Sequence, residues 1–456
     1  MKNLNQKTVV RSQKTECRQA TSTIRAQVLP ALCLTVLCIF SALAWSQSPE
    51  SDPKQRVRAV RDLAKQGEDG IAKLGPYVGD PDLNVRVEAV RALVEIGGPK
   101  TLDALVRAAG DNDPEVQIRS TDGMVNVYLP GYIKTGLSGT ISRAGNSVKG
   151  KFTDTNDQVI DVFVQVRPEV IAGLGKLARG GASPDARANA ARAVGVLRGS
   201  AAIPDLIEAL HSKDDKVMYE SLVAIQKIRD PSAAPRISFL LRDLDDRIQM
   251  QALETTGLLR NREAAPQVRD ALEHARTIKI RRSALEALAM MADPADRGIF
   301  LQYLPDKDDG LRAAAAEGLG RLRNPEDRAA LDKAFNGERG MNPRLSAAFA
   351  LVSLNQLDTS RYSPLRYLVN TLNQRSYRGV AIAFVIELAR DATIRGAIQS
   401  MLAEATKDEK IQISIVLAQS GDKDSVPFLE TLSKDTDPEV AAEGIRSLRT
   451  LRARLP

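Results

Sequence analysis

One pattern of apolar positions recurs along most of the chain. Apolar or small residues follow one another at steps of four, four and three, which places four side chains on one face of a helix. From residue 186 onward the copies begin at 186, 217, 248, 280 and 311, a period of 31–32 residues. A helical pattern at a fixed period of this length predicts a repeat architecture. The copies are Val85-Ala89-Leu93-Ile96, Ala186-Ala190-Val194-Leu197, Val217-Ser221-Ile225-Ile228, Ile248-Ala252-Thr256-Leu259, Ile280-Ala284-Leu288-Met291, Leu311-Ala315-Leu319-Leu322 and Val440-Gly444-Leu448-Leu451.

Prolines and aspartates repeat with the same period and divide each repeat into two helices. Pro204, Pro235 and Pro266 are 31 residues apart, each beside a short apolar segment, and proline suits the first turn of a helix. An acidic turn such as Asp214-Asp215 precedes the longer helix, where aspartate caps the helix and favours its dipole. Each repeat is therefore predicted to contain a helix A, an acidic turn and a helix B. The predicted B helices start near residues 54, 83, 115, 184, 215, 246, 279, 309, 343, 377, 409 and 438.

These motifs resemble the short HEAT-like repeats of the type found in phycobilisome bilin lyases. The shared elements are Pro-x-Leu-Ile-x-x-Leu and then Asp-Pro-x-x-Val-Arg-x-x-Ala-x-x-Ala-Leu, and the resemblance covers about residues 52–456. It implies an all-α fold, an α-solenoid of antiparallel helix pairs whose B helices line the concave face. A ladder of arginines between repeats is expected to be incomplete. The arginine of the Val-Arg pair is present as Arg58, Arg86, Arg119, Arg281 and Arg312, whereas Met218, Gln249, Gln412 and Ala441 replace it.

The period is interrupted once. From Ile118 to Ala186 the pattern advances by 68 residues, about 37 more than one period. We therefore predict repeats over 54–128, an insertion over 129–167 and further repeats over 168–456. Residues 159–166 alternate between apolar and polar, the pattern of a half-buried strand, and residues 147–152 supply a candidate partner strand. The insertion is thus predicted to be a small β-hairpin, with a disordered tether as the alternative that its glycines permit.

The insertion and the helix before it contain the candidate partner-binding residues. Continuing the apolar pattern from Ile118 places Asp122 and Asn126 at core positions, so either both contact the insertion or the helix is rotated to expose them. The insertion contributes aromatic and basic side chains in a chain with only 4% aromatic residues, and aromatic anchors with a charged rim are typical of protein-binding patches. The predicted partner-binding residues are Asp122, Asn126, Tyr132, Lys134, Lys149, Lys151, Phe152 and Phe163.

The first 44 residues have the order of a secretory signal. A basic stretch that ends at Arg25 precedes an apolar run over 28–44, and a polar linker over 45–53 follows. Ala42 and Ala44 supply the small residues that signal peptidase requires, so cleavage is predicted after Ala44 by the general secretory route. The protein is then expected to be periplasmic or secreted. The alternative is an uncleaved inner-membrane anchor, because the apolar run is close to the ~18 residues that can span a bilayer.

Composition excludes most catalytic chemistry in the body of the chain. All three cysteines (Cys17, Cys33, Cys38) lie in the leader, and the only histidines are His211 and His274. The recurring acidic pairs cap helices and lack the spacing of a calcium loop. We therefore predict no catalytic residue, no metal site and no cofactor. The chain's net charge of +7 lies mostly in the leader, so the body lacks the basic surface that nucleic-acid binding needs.

The function predicted from the sequence is that of an exported, non-catalytic scaffold that binds a protein partner of unknown identity. No nucleic acid is expected as a partner, and no membrane after the leader is cleaved. The alternative, which the resemblance suggests, is a lyase-like enzyme or a chromophore-binding protein related to bilin lyases. Export, the absence of cysteine from the body and the scarcity of aromatic residues count against it. Visible absorbance of the purified protein would support it.

Overall fold

The computed structural model describes residues 52–132, 159–161 and 163–455. Ala42, Ala44 and the rest of the predicted leader lie outside these residues. The described residues from 53 onward form one compact unit, and all regular structure described in it is α-helix or 3-10 helix. None of the described helices is both long enough and apolar enough to cross a membrane.

The longer helix of each repeat begins within two residues of its predicted start. We number these B helices α1 to α12 in chain order. Their bounds are Pro53–Ala64 (α1), Leu83–Ile96 (α2), Pro114–Tyr128 (α3), Pro184–Val196 (α4), Asp215–Ile228 (α5), Asp246–Leu258 (α6), Ile278–Met291 (α7), Asp309–Leu322 (α8), Met341–Ser353 (α9), Arg378–Leu388 (α10), Lys407–Ser420 (α11) and Pro438–Arg454 (α12).

An A helix precedes each B helix after the first, and it is the shorter of the two except before α4, where both helices have 13 residues. In one repeat this element is a 3-10 helix over Pro231–Arg242 that contains Pro235, because a proline in its interior cannot donate a helical hydrogen bond. The remaining A helices are Ile71–Leu74, Leu102–Ala109, Pro168–Gly180, Ile203–Ala209, Ala265–Glu273, Arg297–Tyr303, Arg328–Gly337, Pro364–Thr371, Ala392–Ser400 and Val426–Leu432.

The repeated apolar pattern forms the core. Every first and second position of the seven predicted copies is buried, and the third is buried in all copies except Leu448. Aspartates cap the B helices as predicted. Asp113, Asp214, Asp245 and Asp437 each accept hydrogen bonds from two backbone N–H groups of the first helical turn.

Adjacent B helices approach closely where glycine faces alanine. A methyl group on Gly257 would lie 2.7 Å from the Cα of Ala287, and one on Gly320 would lie 2.6 Å from the Cα of Ala350. Gly195 in α4 stands in the same relation to α5. Only a residue without a side chain allows this approach, which draws the B helices together on their shared side.

A ladder of basic side chains links consecutive repeats. Each member reaches from one B helix to an acidic residue of the next repeat, in the turn before its B helix or, for Asp408, in the first turn of that helix. The ladder uses Arg86 and Arg312 as predicted, but Arg56 and Arg282 replace their neighbours Arg58 and Arg281. Its pairs are Arg56–Asp80 (2.8 Å), Arg86–Asp111 (2.7 Å), Arg282–Asp308 (2.5 Å), Arg312–Glu338 (2.7 Å), Arg378–Asp408 (2.9 Å) and Lys410–Asp435 (2.8 Å).

Glutamine replaces arginine in this ladder at α3 and α6. Gln117 accepts a hydrogen bond from the Ala182 N–H of the next repeat, and Gln249 accepts one from Arg276. Gln117 also donates to the Asp111 carbonyl in the turn before α3, and Gln249 donates to the Leu241 carbonyl near the end of the preceding 3-10 helix. The amide therefore preserves the link between repeats without a charge.

The predicted phase of α3 is wrong by two residues. Val116, Ser120 and Met124 are fully buried and form the core face of this helix, whereas Asp122 and Asn126 are only half-buried. With Val116 as the first core residue, Gln117 takes the next position, where other repeats have the arginine of the ladder. Arg119 is therefore outside the ladder and pairs with Glu115 of its own helix.

The strand predicted over 159–166 is wrong for the residues that the structure describes. Residues 159–161 and 163–167 contain a turn, in which the Val164 N–H donates to the Asp161 carbonyl (3.0 Å), and no strand. The apolar side chains of this segment pack against the repeats instead, and Ile160 is only 4% exposed. The remainder of the predicted hairpin, residues 133–158, lies outside the described part.

Candidate interaction surface on the B-helix side

The B helices line the inner side of a bend within residues 53–456. Arg321 of α8 forms an ion pair with Glu387 of α10 (2.9 Å), and Arg260 at the end of α6 approaches the same carboxylate at 3.8 Å. In a straight array with helices 8–10 Å apart, α6 and α10 would be separated by about 35 Å. The repeats must therefore curve toward the B-helix side, which we call the groove face.

The N-terminal stem of the insertion, residues 129–132, is anchored in this groove. Tyr132 lies beside Asp122 of α3 and Arg192 of α4. Burial raises the pKa of the Tyr132 hydroxyl, and the negative charge of Asp122 raises it further. Asn126 accepts a hydrogen bond from the Gly131 N–H (3.1 Å), and Asp122 accepts one from the Asn189 side chain (3.0 Å). Both polar residues of α3 therefore face the groove and the stem.

A buried ion pair supports this stem. Arg192 of α4 donates two hydrogen bonds to Glu220 of α5, at 2.6 and 3.1 Å, and the Glu220 side chain is only 1% exposed. Neither residue is among those predicted from the sequence. Arg192 lies six residues after the first core residue of α4, and Glu220 lies three residues after the first core residue of α5. Projecting each B helix onto its groove face would have revealed both.

The C-terminal stem of the insertion, residues 159–167, is anchored at the end of α4. The Ile160 N–H donates to the Val196 carbonyl (3.0 Å), and the Arg167 N–H donates to the Tyr128 hydroxyl (3.1 Å). Between this stem and the repeats is a cavity of about 360 Å³, whose apolar wall includes Val164 and Leu197.

This stem also contacts the last B helix. Asp161 forms an ion pair with Arg446 of α12 (3.1 Å), and the Arg449 guanidinium lies 5.5 Å from the centre of the Phe163 ring. These residues are 285 and 286 positions apart in the chain, so the contact exists only because the array bends. We call this set of contacts the clasp.

Three glutamates occupy the same repeat position on α6, α7 and α8. Glu317 pairs with Arg321 and accepts a hydrogen bond from Ser346, whereas Glu254 and Glu286 have no hydrogen bond or ion pair among the described residues. Burial, with the charges of Glu317 and Glu254 adding to it, raises the pKa of Glu286 to about 7. Burial likewise raises the pKa of Glu254 and of Glu317.

The structure brings together some of the predicted partner-binding residues. Asp122, Asn126 and Tyr132 lie at one stem, and Phe163 lies at the other. The remaining four, Lys134, Lys149, Lys151 and Phe152, fall outside the described residues.

Both histidines lie in settings that do not favour catalysis or metal binding. His211 stacks on Phe239 with 4.8 Å between ring centres, and His274 contacts Asp270 one helical turn before it. Within the described residues, no three histidine, cysteine, aspartate or glutamate side chains are grouped so as to hold a metal ion.

Sequence comparison identifies the repeats. The family model for HEAT repeats matches residues 42–124 and 171–255. None of the curated proteins matches the sequence. The chain therefore contains HEAT repeats in these two stretches, and its described part is all-helical, as an α-solenoid requires.

Several solved structures resemble the chain at low identity. The complex of CpcE and CpcF of phycocyanin lyase from Nostoc sp. PCC7120 is 18% identical, with 59% of this chain and 92% of that chain covered and a TM-score of 0.35. An engineered protein is 20% identical over 89% of this chain and 97% of that one, with a TM-score of 0.34. The Escherichia coli protein YibA is 16% identical over 67% and 99%, with a TM-score of 0.38. Similarities at this level say nothing about activity.

Proposed function

We propose that this HEAT-repeat protein is an exported, non-catalytic scaffold that binds a protein partner along its groove face, beside the insertion. The observation that supports the proposal most is where the insertion is anchored. Both of its stems are fixed to α3 and α4: residues 129–132 through Asn126 on the groove face, and residues 159–167 through Tyr128 and Val196 at the ends of the two helices. A loop held on a rigid scaffold is a common location for binding residues.

The groove face also offers side chains suited to recognition rather than to catalysis. Tyr132 and Phe163 lie at the two stems, and charged residues such as Arg321 and Glu387 lie on the B helices further along the array. Protein partners are commonly held by aromatic anchors within a polar rim. Binding of this kind requires no reactive group.

The test is a comparison of partner capture with and without the insertion. Residues 134–157 are replaced by a short Gly-Ser link, so that Tyr132 and Ile160 keep their anchoring contacts. We expect the variant to retain its helical circular dichroism and to lose the proteins that the tagged full-length chain enriches from a cross-linked envelope fraction. A matched control replaces the exposed Arg236 and Arg375, which lie outside the groove contacts described above, with glutamine.

Three outcomes would count against the proposal. If the shortened variant recovered the same partners in equal amounts, the insertion would not be the binding site. Equal loss in the control would indicate nonspecific charge effects. Absence of any enriched protein from the full-length chain would contradict the scaffold role itself.

Export is part of the same proposal and has its own test. N-terminal sequencing of protein recovered from the periplasm is expected to begin at Trp45. Recovery of the intact N-terminus from a membrane fraction would favour the uncleaved anchor.

A further inference from the structure

The B helices end in an unusual series of residues. Six successive B helices, α4 to α9, are followed by a non-glycine residue in the left-handed backbone region, with φ between 49° and 61°. Glycine and asparagine adopt this conformation most readily. The six residues are Arg198, Arg229, Arg260, Ala292, Arg323 and Asn355.

Four of these six positions hold arginine, which gains nothing from the left-handed conformation. An L-residue other than glycine or asparagine is strained there, and such strain is often found where a side chain has a function. The helix ends themselves do not require arginine, because Ala292 and Asn355 take the same place after α7 and α9. The guanidinium groups therefore need a separate explanation.

Two of the four arginines lie beside carboxylates of the chain itself. Arg260 approaches Glu387 at 3.8 Å, and Arg323 approaches Asp391 at 3.4 Å. Both carboxylates belong to the end of α10 or the residues just after it. The bend of the array thus places an acidic segment against these two arginines.

Arg198 and Arg229 have no such partner within the described part of the chain. Both side chains are exposed and neither forms a hydrogen bond or ion pair there. Partial desolvation lowers the pKa of Arg198, and the charge of the nearby Arg229 lowers it further. Asp161 also acts on Arg198, but its ion pair is with Arg446.

We propose that Arg198 and Arg229 form a docking site for an acidic segment of a partner protein, which they hold as Arg260 and Arg323 hold Glu387 and Asp391. Arg198 also borders the cavity beside the C-terminal stem, next to Leu197 and Val164. Consecutive helices are 8–10 Å apart, and an extended peptide advances about 10 Å in three residues. We therefore expect a segment in which an acidic residue occurs at every third position.

This inference rests on the proposed scaffold function but is tested without the natural partner. The probe is a fluorescein-labelled peptide with the sequence Glu-Ser-Ser-Glu-Ser-Ser-Glu, and the reference peptide has glutamine at each glutamate. Binding to the full chain is measured by fluorescence anisotropy at low salt. We expect the glutamate peptide to bind at least tenfold more tightly than the glutamine peptide.

The decisive variant is R198G/R229G. Glycine relieves the backbone strain, so we expect its melting temperature to equal or exceed that of the wild type while its Kd for the glutamate peptide rises tenfold or more. R198N/R229N tests the same point with a second residue that tolerates this conformation. The control R236Q/R375Q loses the same charge at exposed positions outside the series and should change Kd less than twofold.

The proposal is overturned if the glycine and control variants weaken binding equally, or if the glutamate peptide binds no better than the glutamine peptide. Equally tight binding of an oligothymidylate of the same charge would also overturn it, because the surface would then bind polyanions in general. Partner capture that survives shortening of the insertion leaves these peptide results unaffected, so failure of this inference and failure of the proposed function can be distinguished.

Discussion

At the level of single residues, the groove face keeps three carboxylates close together, whereas in the unfolded chain they are apart and hydrated. Glu286 lies between Glu254 and Glu317, and its pKa of about 7 reflects burial first and these two carboxylates second. A carboxyl whose pKa is higher in the folded than in the unfolded state binds more protons when folded. It therefore contributes stability that is fully present below about pH 4.5 and is lost as the pH rises through about 7.

Replacing Glu286 with glutamine should remove this pH dependence. At pH 8 we expect the variant to be more stable than the wild type by on the order of 1 kcal/mol, after allowance for solvent screening of a group that is not fully buried. At pH 4.5 the two should be similar. Urea unfolding at both pH values makes the comparison, with the exposed Glu208→Gln as control. A stability difference that is the same at both pH values would contradict the assignment.

The buried pair of Arg192 and Glu220 has the opposite character, because each charge is satisfied by the other. Replacing Arg192 with methionine leaves a carboxylate that is 1% exposed without its partner, and we expect a loss of about 3 kcal/mol of unfolding free energy. The double variant R192M/E220L should recover most of this loss. A double variant no more stable than R192M would show that the pair is not the source of the effect. Thermal and urea unfolding provide the measurement.

At the element scale, the spacing of the B helices depends on a few glycines. Because the Cα of Ala287 lies only 2.7 Å from where a Gly257 side chain would begin, Gly257→Ala must push α6 and α7 apart. We expect this variant to lose about 1–3 kcal/mol through overpacking. Unfolding by urea, followed by helical circular dichroism, tests the expectation.

Gly396 supplies the matched control. It lies within the helix Ala392–Ser400, and nothing approaches within 4 Å of where its side chain would be. Gly396→Ala should therefore stabilise the protein by about 0.5–1 kcal/mol, the ordinary preference for alanine in a helix. Destabilisation of both variants by the same amount would mean that helix spacing is not what Gly257 protects.

At the scale of the whole compact unit, the clasp joins the insertion to the last repeat. The Asp161–Arg446 pair is largely exposed, and exposed pairs contribute roughly 0–1 kcal/mol each. The contact should therefore open readily and respond to salt. Because the two residues are so far apart in sequence, this opening would widen the groove between α4 and α12.

Exchanging the charges of the clasp tests this expectation. Arg446→Glu should speed hydrogen exchange in residues 159–167 up to about fivefold, since a repulsive pair replaces an attractive one. The double variant D161R/R446E should restore slow exchange. Unchanged exchange in the single variant, or no recovery in the double one, would show that these charges do not hold the stem.

The local structure of the repeats was predictable because each repeat encodes its own helices. The starts of the B helices followed from the aspartate caps and the period, since capping depends only on residues within one turn. The core residues followed from the helical spacing for the same reason. The phase of α3 was not predictable in this way, because Val116 and Ile118 are both suitable core residues and only the packing selects Val116.

The insertion shows why an alternating pattern alone was insufficient. Alternation over 159–166 suits a strand, but it equally suits an irregular segment that places Ile160 and Val164 against an existing core. A strand requires a hydrogen-bonded neighbour, whereas in the described residues the Ile160 N–H bonds to the end of α4. Which of the two forms depends on the surface that the array presents.

The sequence by itself determined the repeat period, the helix pairs, the caps and the absence of most catalytic residue types from the body of the chain. Only the tertiary structure decided which charged residues meet: Arg260 with Glu387, and Asp161 with Arg446. The physical reason is that the bend is the sum of small rotations between neighbouring repeats. Each rotation is set by packing such as that of Gly257 against Ala287. The periodic pattern of the sequence does not reveal the total of these rotations.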